Sequence, residues 1–93
     1  MPHFVLTCID KPDALERRLG AREAHLAHVR TSGVVKLAGP FLDAAGGMVG
    51  SLLILDVPDL AAAQAFSAAD PYVAADVFQS VDIRPIKLTI GSL

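Results

Sequence analysis

The chain has no tryptophan, one tyrosine and one cysteine. Cys8, being alone, forms no internal disulfide, so the fold is not a disulfide scaffold and suits a reducing compartment such as the cytoplasm. No apolar run approaches the roughly 18 residues of a membrane-spanning helix. The first residues lack the basic and apolar regions of a secretory leader. Charge of one sign is also missing: eight Lys and Arg stand against ten Asp and Glu, for a net charge of −2. The basic residues are scattered apart from Arg17-Arg18, which leaves no footprint for nucleic acid. Absent too are G-x-G-x-x-G, the phosphate-loop lysine motif and Cys-x-x-Cys, so no cofactor is expected. These gaps predict neither a nucleic-acid partner nor a membrane one.

What is present is apolar. Of 93 residues, 53% are hydrophobic, more than a lone small domain hides easily. The length gives one domain, 1–93. The excess predicts an alanine-dense core together with an apolar surface that meets a partner.

Alternation predicts a first strand over His3–Ile9, with Phe4, Leu6 and Cys8 facing one way and Val5, Thr7 and Ile9 the other. Pro12-Asp13 reads as a helix start, with Asp13-x-x-Glu16 spaced as a capping box. That helix should run to about Thr31 and stop at Ser32-Gly33. Its apolar stripe would be Leu15, Leu19, Leu26 and Val29, with Arg22 within the stripe, His25 at its edge and His28 towards solvent. Val34–Leu42 reads as a second strand, holding Pro40, and Asp43–Gly47 as a hairpin loop. Met48–Val57 is a third strand with the continuous run Leu52–Leu55. Pro58-Asp59 opens a second helix, Leu60 to about Ala69, with Leu60, Ala63 and Phe66 inward. Asp70-Pro71 breaks it, and a short turn or helix over Pro71–Asp76 leads to a fourth strand, Val81–Ile90. The order β-α-β-β-α-β predicts an α+β, ferredoxin-like fold: a four-stranded antiparallel sheet with both helices on one face. The apolar second face predicts a homodimer packed sheet against sheet.

Two distant segments carry the candidate chemistry. His25 is the kind of residue that moves a proton near neutral pH, and Asp70 the kind that orients such a histidine. Asp70 also fits a helix N-cap with Pro71 in the first turn, and the two roles are compatible because a capped carboxylate is rigid and ionised. Arg22, in an apolar stripe, either lays its stem along the core with its head in water or clamps an anion beside His25. Tyr72 could donate a phenolic hydrogen bond to a ligand or pack as a half-buried ring. Ser51, after Gly50, could donate to a ligand, but no nucleophile elbow surrounds it. His25 and His28 lack a third ligand, so no metal site is expected.

The chain resembles the YciI-like family, the YCII-related domain, along nearly its whole length. The likeness rests on Arg22-x-x-His25-Leu26, Ala38-Gly39-Pro40, Gly50-Ser51 and Asp70-Pro71-Tyr72 followed by Val73-Ala74-Ala75. It implies a homodimer of the dimeric α+β barrel type and an active site around His25 and Asp70, with Arg22 and Ser51 lining the same cleft. It also implies proton-transfer chemistry without a cofactor, on small and in some cases aromatic compounds.

The expected function is therefore a small cytoplasmic lyase or isomerase. His25 would be the acid or base, Asp70 its orienting partner, and Arg22, Ser51 and Tyr72 the substrate-binding groups. The alternative is a non-catalytic module that binds a small molecule in the same cleft. A third reading, a dimeric-barrel oxygenase, lacks a motif for activating oxygen.

Overall fold

The computed structural model describes residues 2–93. The elements are β1 (His3–Asp10), α1 (Leu15–Ser32), β2 (Val35–Leu42), β3 (Met48–Asp56), α2 (Leu60–Ala68), α3 (Pro71–Ala74) and β4 (Phe78–Ile86). The strands form one antiparallel sheet in the order β2-β3-β1-β4, the ferredoxin-like topology. The two central strands are the most apolar, as burial from both sides requires. The border strands carry the prolines, Pro40 on β2 and Pro85 on β4, where a missing N–H is tolerated.

One face of the sheet holds the core. Phe4, Leu6 and Cys8 on β1 lie beside Leu55, Leu53 and Ser51 on β3, and the apolar members are buried under Ala63 and Phe66 of α2. Val29 of α1 packs on the same cluster. Alanine and glycine let the layers approach closely. A β-carbon at Gly50 would stand 2.4 Å from the Cys8 carbonyl oxygen, so only glycine lets β3 lie this near β1 and carry Ser51 inward. The opposite face presents Val5, Ile9, Leu37, Leu52 and Ile54. The segment after β4 returns along it, where Leu88, Ile90 and Leu93 share a cavity wall with Leu37 and Ile54. Ile9 and Leu37 remain exposed. Among the described residues no helix is long and apolar enough to cross a membrane.

Several local expectations are corrected. The helix begins one residue past the expected box: Ala14 is its N-cap, and Asp13 lies outside it at φ +58°. The chain leaves β1 through this tight turn, fixed by the Lys11 N–H donating to the Val77 carbonyl, and Asp13 tolerates the left-handed conformation that closes it. α1 is also turned by about one residue, roughly 100°, from the expected stripe. Ala14, Arg18, Ala21 and His25 point inward, while Leu15 and Leu19 are exposed. On the inward side the Arg18 guanidinium meets the Asp10 carboxylate. His28, expected in solvent, is half-buried; its Nε2 lies 3.1 Å from the Phe66 carbonyl and its ring stacks on Phe66 at 4.4 Å. Leu60 is exposed rather than inward, because Asp59, accepting from the Ala62 N–H, sets the start of α2 with Ala63 and Phe66 below. β4 is displaced towards the N-terminus. Phe78 already pairs with Asp10, and Ile86 lies opposite His3, where β1 begins and offers nothing further to pair.

Candidate active site

α1 supplies one wall of the site. Arg18, Ala21 and His25 follow the helical period on its inward face, so the two long polar side chains are separated by a methyl group. The short helix α3 supplies the opposing group. Pro71 fixes the first turn, and Asp70 caps it, with Oδ1 accepting from the Tyr72 N–H at 2.9 Å. The same Oδ1 lies 2.8 Å from His25 Nδ1. Asp70 and His25 are both buried, 4% and 7% exposed. A carboxylate oxygen that accepts from a backbone N–H is acting as an acceptor, so Nδ1 is the donor in this pair. In neutral His25 the lone pair is then on Nε2, on the far side of the ring from Asp70.

A second polar unit lies two helical turns away. Arg18 grips Asp10 through two parallel bonds, Nε to Oδ2 at 2.8 Å and Nη2 to Oδ1 at 2.9 Å. Nη2 also donates to Ser51 Oγ at 2.9 Å. The Arg18 and Asp10 side chains are 3% and 5% exposed. Burial by itself favours the neutral guanidine, but the hydrogen bond and charge of Asp10 outweigh it and raise the Arg18 pKa above its ordinary value. Because arginine has no lone pair to offer, Ser51 is the acceptor of that contact and its own hydrogen is directed elsewhere. Beneath both units lies Cys8. Burial, then the Asp70 charge, push its thiol up to about 12 against the pull of Arg18, so it stays protonated and inert.

Arg18, Arg22, His25 and Ser51 open on one cavity of about 170 Å³ between α1, β2 and β3. Leu26, Val29, Met48 and Leu53 make much of the remaining wall apolar. A dry cavity of about 150 Å³ accommodates benzene, so this volume suits a single substituted ring. Arg22 reaches the cavity from the exposed side of α1. Tyr72, expected at the substrate, is 3% exposed and stands behind His25 instead, its ring stacked on the imidazole at 4.0 Å. The fold thus brings His25 to Asp70, sets Arg22 and Ser51 on the cavity, and holds Tyr72 off it. Arg18 and Asp10 were missed from sequence. Their signal was present: small and polar residues alternate at helical spacing through Ala14, Arg18, Ala21 and His25, with an aspartate at the end of the preceding strand. Among the described residues no group of three or more His, Cys, Asp or Glu is placed to hold a metal ion.

Residues 2–87 match the family model of the YCII-related domain. The chain belongs to this family. Among curated YCII-related relatives, protein YciI of Escherichia coli O6:H1 is 42% identical over 93 residues, spanning 90% of this chain and 95% of its own. A protein of Haemophilus influenzae is 35% identical over 94 residues, spanning 91% and 96%. Among solved structures, 5-chloro-2-hydroxyhydroquinone dehydrochlorinase (TftG) of Burkholderia phenoliruptrix AC1100 superposes with a TM-score of 0.85 at 26% identity, covering 91% of this chain and 93% of that one. That protein was solved in complex with 2,5-dihydroxybenzoquinone. An antibiotic biosynthesis monooxygenase, at 16% identity and a TM-score of 0.60, shares the fold alone.

Proposed function

We propose that this YCII-related protein is a cytoplasmic lyase or isomerase. His25 transfers a proton to or from a small, singly ringed, oxygenated substrate of the hydroxylated quinone or hydroquinone class. The observation that carries this reading is the buried 2.8 Å contact of His25 Nδ1 with Asp70 on the wall of a ring-sized cavity. The likeness to TftG, an enzyme named for removing hydrogen chloride from such a ring, supports the substrate class.

The residues divide the work as follows. Nε2 takes a proton from the substrate, and the Asp70 carboxylate steadies the imidazolium that forms. The electron pair left behind either expels a leaving group from a neighbouring ring atom, which is elimination, or is reprotonated elsewhere by the same imidazolium, which is isomerisation. Ser51 directs its hydroxyl hydrogen to a substrate oxygen, because Arg18 occupies its acceptor side. Arg22 brings a positive charge to the cavity and favours an anionic or enolate oxygen. The active unit is a homodimer joined through the open sheet face, where Ile9 and Leu37 stay exposed.

The test is turnover of 5-chloro-2-hydroxyhydroquinone, followed by chloride release. His25→Gln should lower kcat by about 10²–10⁴-fold, with Asp70→Asn in the same direction. A His25→Gln protein with the parent rate would refute the reading. A parent protein that binds 2,5-dihydroxybenzoquinone but turns over no such ring would replace it with a non-catalytic binding module.

A further inference from the structure

A single hydrogen bond fixes one atom of an imidazole and not its plane, because the histidine χ2 torsion is broad. Something else must hold the His25 ring. The gap between Arg18 and His25, floored by Ala21, is filled by Tyr72 from α3. Its ring lies parallel to the imidazole, 11° off, at 4.0 Å. On its other side the Arg18 Cζ is 4.7 Å from the ring centroid. Phe78 meets it edge-on at 5.7 Å, and Ala21 packs on the buried cluster to which Tyr72 belongs. The ring is held by neighbours from α1 and from β4, and it does not line the cavity.

We propose that Tyr72 is the positioning residue of the site: its ring, wedged between Arg18 and His25, keeps Nδ1 on Asp70 and Nε2 on the cavity, and separates the imidazolium formed in proton transfer from the Arg18 guanidinium. This rests on the reading of His25 as the base. Face-to-face contact between the two rings holds the plane of the imidazole. Arg18, on the other face, is itself paired with Asp10. The other charged or titratable groups near His25 are Asp70 from α3, Arg22 and His28 from α1, and Cys8 from β1. Of these His28 is turned to Phe66 and Cys8 is a neutral thiol. Burial raises the Tyr72 phenol above its ordinary pKa, although Arg18 and Arg22 pull it down, so the phenol does not itself exchange protons near neutrality.

The chain offers a direct readout. Tyr72 is its only tyrosine and it has no tryptophan, so the tyrosine emission of the whole protein reports this one ring. An imidazole stacked on a phenol quenches it. The parent emission should therefore be weak, and His25→Gln should raise it. Nitrogen NMR of His25 should show one fixed Nδ1–H tautomer in the parent. In Tyr72→Leu, with folding checked by circular dichroism, it should show averaged tautomers, and kcat should fall roughly 10- to 100-fold with little change in KM. Tyr72→Phe, which keeps the ring, should rescue both. The proposal is overturned by a folded Tyr72→Leu that retains the fixed tautomer. If that variant does not fold, parent emission indifferent to His25 overturns it instead. Full turnover by His25→Gln would end the reading of His25 as base, yet leave the tautomer and emission results to decide the role of Tyr72.

Discussion

Replacing Arg18 with methionine keeps an unbranched side chain of similar reach and removes only the guanidinium. Asp10, 5% exposed, then loses its counter-ion, and Ser51 loses the donor on its acceptor side. Stranding one member of a buried, bidentate pair costs about 3–5 kcal/mol. A domain of this size has about 5–15 kcal/mol of stability in all. The melting temperature should drop by about 4–8 °C for each kcal/mol lost, so Arg18→Met is expected to bring unfolding close to the working temperature. Asp10→Leu should do comparable harm by stranding Arg18. The double variant removes both charges and fills the space with hydrocarbon, and should lie within roughly 2 kcal/mol of the parent or above it. Urea unfolding of the four proteins, followed by far-ultraviolet circular dichroism, closes the cycle. Single variants that each lose less than about 1 kcal/mol would place the pair with ordinary surface bridges and refute the argument. So would a double variant whose loss equals the sum of the two.

The thiol of Cys8 gives a pH prediction. Its folded pKa is about 12 against an ordinary 9.0. The unfolded chain therefore releases this proton first, and stability is kept below pH 9 and lost as pH rises from there towards 12. The loss amounts to at most roughly 4 kcal/mol, and Cys8→Ala should flatten that alkaline limb. The proposed sheet-to-sheet dimer predicts a sedimentation mass of two chains, reduced to one by Ile9→Lys together with Leu37→Lys; a parent that sediments as one chain would refute it.

The sequence was most legible where one period ruled one element. The alternation of β1 and the continuous apolar run of β3 are set by burial on a sheet, and both strands stand where those patterns put them. His25 and Asp70 were visible as residue types, and their contact follows from the topology that stacks α1 against α3. The misreadings share a cause. Hydropathy ranks Leu15 and Leu19 above Arg18, yet the helix turned Arg18 inward, because the value of burying an arginine depends on Asp10 and Ser51. Those partners lie 8 and 33 residues away along the chain. Hydropathy along α1 does not contain that information, although the spacing of Ala14, Arg18, Ala21 and His25 hints at it. Tyr72 was misplaced for a similar reason: its neighbours Arg18 and His25 come from a different helix, so its own local sequence says nothing of the slot it fills.

The two border strands, finally, bear on how this chain behaves in a crowded solution. A polypeptide more than half hydrophobic, with four extended segments, has the makings of a fibril. Growth of that kind proceeds by adding a strand to a free margin, which must offer an unbroken row of donors and acceptors. Pro40 interrupts the row on one margin and Pro85 on the other. The sheet is therefore terminated at both ends by residues that cannot donate, and open-ended polymerisation is discouraged whatever the concentration. What remains available for association is the broad apolar face that carries Ile9 and Leu37.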